Sequence, residues 1–414
     1  MSIKVVGIQT FLNTPGWLAD RVVFSGKDIQ VELHRDHRLA LRCPGCGNSM
    51  TPSRTQSHRV RDIGLGPDCP MWLIYTSTQG RCRPCRRYHT EHPPGVDGVT
   101  TLRFQAWVSS MCRVMTLADA GDMAGINPST AWRIDDRYLK RTLPEPKLDG
   151  LTHLMVDEKS VRRRHGYVTF VLNAVTGEPL HCAEGKRRDS LESFLKKLTP
   201  AQRSTIRAVC MDRTGHFRDV VREYLPHADV VFDKFHIIAN YNATIDAVRR
   251  QAWHDAEKKD KSFIKGQRYN LFARKGTLKP ERQVDLDALL AANAPLSEVY
   301  VLGDQLRTIW EQPTVERATI ALDDWIALAA KSAVQPIQAF AASLRRSANE
   351  IIAYAKHRIT NGKMEGFNNL VSRLIHRANG IRSVLYLFRR ARAAVIPLPR
   401  QAVCGPAREP NICQ

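Results

Sequence analysis

The chain has 414 residues, enough for two or three domains that each bury a core, and its hydrophobic fraction of 43% with 25% charged residues excludes disorder throughout. Against 41 Asp and Glu stand 62 Lys and Arg, a formal net charge of +21. That imbalance makes a polyanion the leading partner, nucleic acid first, because each neutralised phosphate releases a counterion.

The opening "MSIKVVGIQTFLNTPG" lacks the charged, apolar and cleavage regions of a signal peptide, and no apolar run reaches the roughly 18 residues that span a bilayer. The expectation is a cytoplasmic, nucleoid-associated protein with no membrane partner and no small-molecule substrate. Ten cysteines, several in close pairs, favour metal ligation over a disulfide framework in a reducing compartment. "RCPGCGN" and "RCRPCRRYH" set Cys43 beside Cys46 and Cys82 beside Cys85. Each C-x-x-C turns through Pro or Gly so that both thiolates face one point, and two such knuckles supply the tetrahedral sulfur site of a structural Zn2+. Residues 47–81 between them exceed the common ribbon spacing, but "MWLIYTSTQGRC" reads as strand and turn that a zinc ribbon absorbs. His58, Cys69 and His89 are nearby substitutes as ligands; four buried thiols without metal are the alternative. A zinc-binding domain is expected over 1–97.

Over 98–146 the pattern is helical. "LADAGDMAGINPSTAWRIDDRYLKR" gives a short helix, a "GIN" turn, and Pro128 at a first helical position behind Asn127 as cap. Ala120, Ala124, Ile126, Ala131 and Ile134 occupy the small or apolar positions where two helices cross. The second helix then presents Ser129, Thr130, Arg133 and Arg137 outward, suited to a major groove as in a helix-turn-helix. An ordinary helical hairpin is the bland alternative.

After the hinge "LPEPKLDG" the period changes. "LTHLMVD", "GYVTFVLNAVTG" and "EPLHCAEGKR" form a three-stranded meander, and "DSLESFLKKL" is a crossover helix with Asp189 as cap. "IRAVCMD" is a fourth strand, "HFRDVVREYL" a helix, and "ADVVFDKFHII" a fifth strand entering a helix. The order β-β-β-α-β-α-β-α is that of the ribonuclease H-like α/β fold, expected first over 147–242. Three apolar runs end in acids, Asp157, Asp212 and Asp233. With the first and fourth strands adjacent and parallel, Asp157 and Asp212 meet at one edge. Such a pair is costly unless a cation binds between its members, and Mg2+ suits hard oxygen ligands. A single strand-end Asp is also an ordinary turn former.

"VDEKS", "MDRTGHFRDVVREYLPHADVVFDKFHII" and "NGKMEGFNNLVSRLIHRANGIRS", behind paired C-x-x-C knuckles and a helix-turn-helix, resemble the DDE transposases of the insertion-sequence ISL-three family, in the family's order from Cys43 to Arg390. The resemblance implies Asp157, Asp212 and Glu365 as a catalytic triad holding two Mg2+ about 4 Å apart, with Mn2+ as substitute. It implies Asp233 and His236 as auxiliaries in a D-x-x-H element, with Asp233 in reserve as the second ligand. "MDRTGHF" departs from the family pattern, in which an aromatic more often follows the second acid directly. The implied activity is metal-dependent cleavage and strand transfer of DNA carrying terminal inverted repeats, into target DNA, by a homodimer or larger synaptic complex. A catalytically inactive DNA-binding regulator and a structure-selective nuclease of the same fold are the rivals.

Residues 243–342 read as an inserted helical domain whose Trp253, Trp310 and Trp325 are core, with "KKDKSFIKGQRYNLFARKG" facing phosphate. Residues 343–396 complete the catalytic domain. There Glu365, Asn369, Ser372 and His376 share a polar helical stripe opposite Phe367, Leu370, Val371 and Leu374. Asn361, Asn368, Asn369, Arg373 and Arg377 are candidates for the DNA backbone, and "RLIHRANGIRSVLYLFRRARAA" continues as a basic DNA-contacting helix. The proline-rich tail over 397–414 is expected to be disordered.

Overall fold

The computed structural model describes residues 2–3, 12–162, 166–213, 216–274, 276–378 and 383–396; the tail from 397 lies outside them. The chain divides into two compact units, Met1–Pro144 with Leu374–Gln414, and Glu145–Arg373.

Among the described residues, the first unit carries an eight-stranded sheet, ordered β1-β2-β3-β5-β4-β8-β7 with β6 beside β5. These are β1(Ser2–Ile3), β2(Trp17–Ser25), β3(Asp28–Arg35), β4(Thr51–Gly66), β5(Cys69–Cys82), β6(Arg87–Glu91), β7(Val96–Asp97) and β8(Thr100–Thr101). Alternation in β5 turns Met71, Leu73, Tyr75 and Ser77 inward, and the apolar three pack with Val31 and Leu33 of β3. The expected turn inside "MWLIYTSTQGRC" is absent: β5 runs unbroken, because its whole length pairs with β4 from Met71↔Asp62 to Arg81↔Thr51.

Three helices follow, α1(Leu102–Val114), α2(Leu117–Ala124) and α3(Pro128–Thr142). Thr116 and Asp119 form a capping box at α2, and Gly125 ends it at φ 63, ψ 40, a left-handed conformation that spares glycine strain. Asn127 takes the cap position of α3 as expected, though its side chain makes no cap hydrogen bond. Ala120, Ala124 and Ala131 are almost fully buried where the helices cross, joined by Ile134 and by Phe104 and Val108 of α1. The buried Asp62 of β4 accepts from Thr101 Oγ1 at 2.7 Å and pairs with Arg103, which ties the sheet to the helices.

The helix Val384–Val395 belongs to this unit and corrects the expectation of a DNA-contacting basic helix. Its Arg390 pairs with buried Asp135 at 2.7 Å, Arg389 Nε donates to Asp136 at 2.9 Å, and Arg392 Nη2 donates to the Pro144 carbonyl. The charges are spent on α3 and its exit. Residues 379–382 of that run lie outside the described residues.

The second unit holds a five-stranded sheet of β9(His153–Arg162), β10(Gly166–Asn173), β11(Pro179–Glu184), β12(Ala208–Met211) and β13(Asp229–Phe232), ordered β11-β10-β9-β12-β13. The first three form the antiparallel meander; β12 and β13 add in parallel, linked through α4(Arg188–Leu195), α5(Pro200–Ser204) and α6(Phe217–Tyr224). The cap of α4 is Arg187, and Asp189 sits in its first turn instead. Leu154, Val156, Val209, Met211, Val230 and Phe232 line one face of the sheet.

From β13 the chain enters α7(Lys234–Asp255), then α8(Lys261–Gly266), α9(Arg268–Phe272), α10(Pro280–Ala292), α11(Ala294–Thr308), α12(Val315–Ala330) and α13(Gln335–Arg345). The expected boundary at 243 falls inside α7, whose Ile237, Tyr241 and Ile245 join sheet and inserted helices in one continuous core. Trp310 and Trp325 are core as expected; Trp253 is 38% exposed, with Lys261 Nζ 4.9 Å from its ring centre. Ala353 of α14(Ala348–His357) packs on Ala208 and Val231, on the other sheet face. The division at 373/374 falls within α15(Gly362–Arg377). Among the described residues no helix is long and apolar enough to cross a membrane.

Candidate active site and the cysteine cluster

The paired knuckles converge. Cys43, Cys46, Cys82 and Cys85 place their sulfurs within 4.8 Å of one another, with Cys46 and Cys82 at 3.4 Å and Cys43 and Cys85 at 3.8 Å. The long hairpin explains how residues 47–81 permit this. In antiparallel register the start of β4 lies opposite the end of β5, so the first knuckle meets the second at one end. Gly80 is required there: a Cβ would come within 2.7 Å of Leu41 and 2.9 Å of Met50. Hydrogen bonds from the Asn48 backbone and side chain hold the Cys46 thiol down at about 6, while contacts with Cys46, Cys82 and Cys43 push Cys85 up to about 12. His58 is instead bonded to Ser77 Oγ, and neither it, Cys69 nor His89 joins the cluster.

In the second unit, parallel pairing sets the acids. β12 and β9 pair through Cys210↔Met155, and β12 and β13 through Met211↔Phe232. Continuing those registers puts Asp157, Asp212 and Asp233 on one row at the C-terminal edge of three adjacent strands. Being alternate to the apolar row, they face the side covered by α14 and α15. Asp233 is 2% exposed, and His236, one helical turn on, brings Nδ1 within 2.8 Å of Asp212 and 2.9 Å of Asp233. Those two hydrogen bonds raise the imidazole to about 10. Burial and then the Asp212 charge push Asp157 up to about 6, and burial with both aspartates pushes Glu158 up to about 7. Glu158, the second acid of "VDEKS", was legible only as a neighbour; its half-burial gives it weight.

Helix α15 lies over this row. Asn361 donates Nδ2 to Asp212 at 3.4 Å and its backbone N–H to Asp233 at 3.2 Å, and Asn368 donates Nδ2 to Asp157 at 2.6 Å. Asn368, expected at the DNA backbone, is buried here against a carboxylate. Glu365 is exposed and sits one turn after Asn361 and just under one turn before Asn368, on the stripe that faces the aspartates. Among the described residues of this unit the tight ligand cluster is Asp212, Asp233 and His236; Asp157 and Glu365 are not within it. Other acids of the second unit are engaged elsewhere, Glu350 by Arg222 at 2.7 Å and Glu311 by Arg274 at 2.8 Å.

Of the remaining expected DNA residues, Ser129, Arg133 and Arg137 are exposed on α3 and Thr130 half-buried; Asn369 and Arg373 are exposed on α15. Arg377 donates to the Arg113 carbonyl at the end of α1. Arg213 reaches Ser343, whereas Thr214 and Gly215 lie outside the described residues.

Comparison with known proteins agrees with this layout. A family model described as a transposase, the ISL3 type of DDE enzyme, matches residues 154–391, and one described as the helix-turn-helix domain of transposase family ISL3 matches residues 99–139. The transposase for insertion sequence element IS1001 of Bordetella parapertussis is 30% identical over 268 residues, 64% of this chain and 66% of that protein. The transposase for IS1557 of Mycobacterium tuberculosis (strain ATCC 25618 / H37Rv) is 25% identical over 324 residues, 72% of this chain and 71% of that protein. With the first model spanning more than half of its length and covering Asp157, Asp212, Asp233 and Glu365, the chain belongs to the ISL3 family of DDE transposases.

Proposed function

We propose that this chain cuts and joins DNA at the ends of its own insertion sequence, on a ribonuclease H-like scaffold. Support for the scaffold is the strand order β11-β10-β9-β12-β13 with its meander and two parallel additions. The observation that carries the chemistry is the single register row of Asp157, Asp212 and Asp233 beneath the helix that bears Glu365.

The residues fit a hard divalent cation. Asp157 and Asp212 oppose each other in a half-buried site, and the side-chain carbonyl oxygens of Asn361 and Asn368 are buried with no hydrogen-bond partner among the described residues. Asp157, Asp212 and Glu365 would hold two Mg2+, or Mn2+, which when bound lower the pKa of an attacking water or 3′-hydroxyl and stabilise the leaving oxygen. The aspartates contribute fixed negative oxygens from rigid strands. Glu365, exposed at the mouth, closes the set from the helix. His236 keeps a positive charge between Asp212 and Asp233, restraining both carboxylates. No side chain forms a covalent intermediate.

The four clustered thiols fit Zn2+ by donor type and mutual distance, since so many sulfurs share one point comfortably only around a cation. Zn2+ there would fix the end of the β4–β5 hairpin. Ser129, Thr130, Arg133 and Arg137 on α3 would read the terminal inverted repeats, while Asn369 and Arg373 meet backbone phosphate beside the acids. Two ends must be processed together, which calls for a homodimer or larger synaptic complex. The setting is the cytoplasm, at the nucleoid.

The test is cleavage and joining of labelled DNA bearing the element's ends in Mg2+. Asp157→Ala, Asp212→Ala and Glu365→Ala are each expected to lower the rate by at least about 10³-fold while end binding survives. Activity retained in Glu365→Ala refutes its place in the triad; wild-type protein that binds ends but neither cuts nor joins them refutes the enzyme.

A further inference from the structure

We propose that Asn361 and Asn368 are positioning residues that set the two metal-binding aspartates from the start of α15, an inference that rests on the metal reading above. Asn361 immediately precedes α15 and Asn368 stands on its second turn, so the two amides flank Glu365 in the chain. Asn368 Nδ2 lies 2.6 Å from Asp157 Oδ2, and Asn361 Nδ2 lies 3.4 Å from Asp212 Oδ1, with the Asn361 backbone N–H on Asp233 Oδ1 at 3.2 Å. One helix and the residue that leads into it thus touch all three acids of the register row.

Chemistry dictates the orientation of these amides. An ionised carboxylate only accepts, so each asparagine must turn its NH2 toward its aspartate and its carbonyl away. The consequence is costly: both carbonyl oxygens are then buried without a donor among the described residues. An unpaired buried acceptor costs free energy wherever it occurs, and two around the start of one helix, both beside carboxylates, are hard to explain as packing. They are intelligible where the aspartates must be held in a fixed rotamer. Asp157 has a second fixed donor, the Glu158 N–H at 2.8 Å on its other oxygen. Its carboxylate plane is therefore defined from the strand and from the helix together. Asp212 is held on one oxygen, Oδ1, by both Asn361 Nδ2 and His236 Nδ1.

Partners that orient metal ligands typically change metal affinity about 10–100-fold when removed. Asn368→Ala and Asn361→Ala both leave good helix formers or a cap backbone in place, and the Asn361 N–H bond to Asp233 survives. Binding of Mn2+ to the full chain, followed by electron paramagnetic resonance without DNA, is expected to weaken at least about tenfold in each variant, with Asp157→Ala as the ligand-loss reference. Strand cleavage should fall at low Mg2+ and recover as Mg2+ is raised, a rescue that a variant merely damaged in packing does not show; thermal melting checks that each variant is folded. Mn2+ bound by wild type, lost in Asp157→Ala and unchanged within twofold in both asparagine variants overturns the proposal alone. Should wild type itself bind no Mn2+, the metal reading falls and this proposal with it.

Discussion

The cysteine cluster and the carboxylate row are both sets of candidate metal ligands, yet they are built in opposite ways. The cysteines come as two local knuckles, each shaped by its own turn, and one hairpin carries them to a common point where all four sulfurs crowd within 4.8 Å. The carboxylates come from three strands and a distant helix, and amides and an imidazole stand among them. A set closed on itself by one donor type suits structure. A set left open toward an exposed Glu365, with buried like charges held in place by other groups, suits chemistry, and the fold carries that cost.

The contrast is broken most severely at the cysteines. Cys82→Ser should remove bound zinc, reducing affinity by more than the roughly 10–100-fold that loss of an outer partner costs. Metal analysis of purified protein reads this directly, and limited proteolysis should open the segment between the knuckles. Unchanged zinc content would show that the four sulfurs are not the site.

A change of opposite sign is expected at the carboxylates. Asp157→Asn, melted with chelator at pH 7, should be more stable than wild type by about 3 kcal/mol, because the fold holds ionised a carboxyl that burial and Asp212 raise from 3.8 to about 6. The sign follows from linkage: the gain is full above about 6 and fades as pH falls to 3.8, where the group is protonated in both states. A destabilised Asp157→Asn would mean that the row is structural, like the cysteines.

The smallest effect calibrates both. His181, buried mainly by its packing on Phe194 and next to Lys197, is lowered from 6.5 to about 4, so the unfolded chain takes up a proton that the fold refuses. Stability should therefore be full above 6.5 and decline as pH falls toward about 4, by on the order of 1 kcal/mol after allowing for solvent screening. His181→Gln, which keeps a group to bond Ser193, should remove that slope in pH-dependent melts.

Local pattern alone determined a good deal of this protein. Knuckle spacing named the four cysteines, apolar runs ending in Asp named three acids, and small residues at helical spacing placed the crossing of α2 and α3. These signals are short-range: a C-x-x-C turn, a strand's period and a helix's period are each written within a few residues. What the row of acids shares, by contrast, is strand register, and that is decided by pairing between segments far apart in the chain. So is the fate of a polar side chain. Asn368 and Asn369 look alike in sequence, yet one is buried on Asp157 and the other is exposed; Arg389, Arg390 and Arg392 look like a basic face for DNA, yet buried Asp135, Asp136 and the Pro144 carbonyl claim them. A charge's partner is whichever counter-charge the tertiary fold brings within hydrogen-bond reach, and no local period records it.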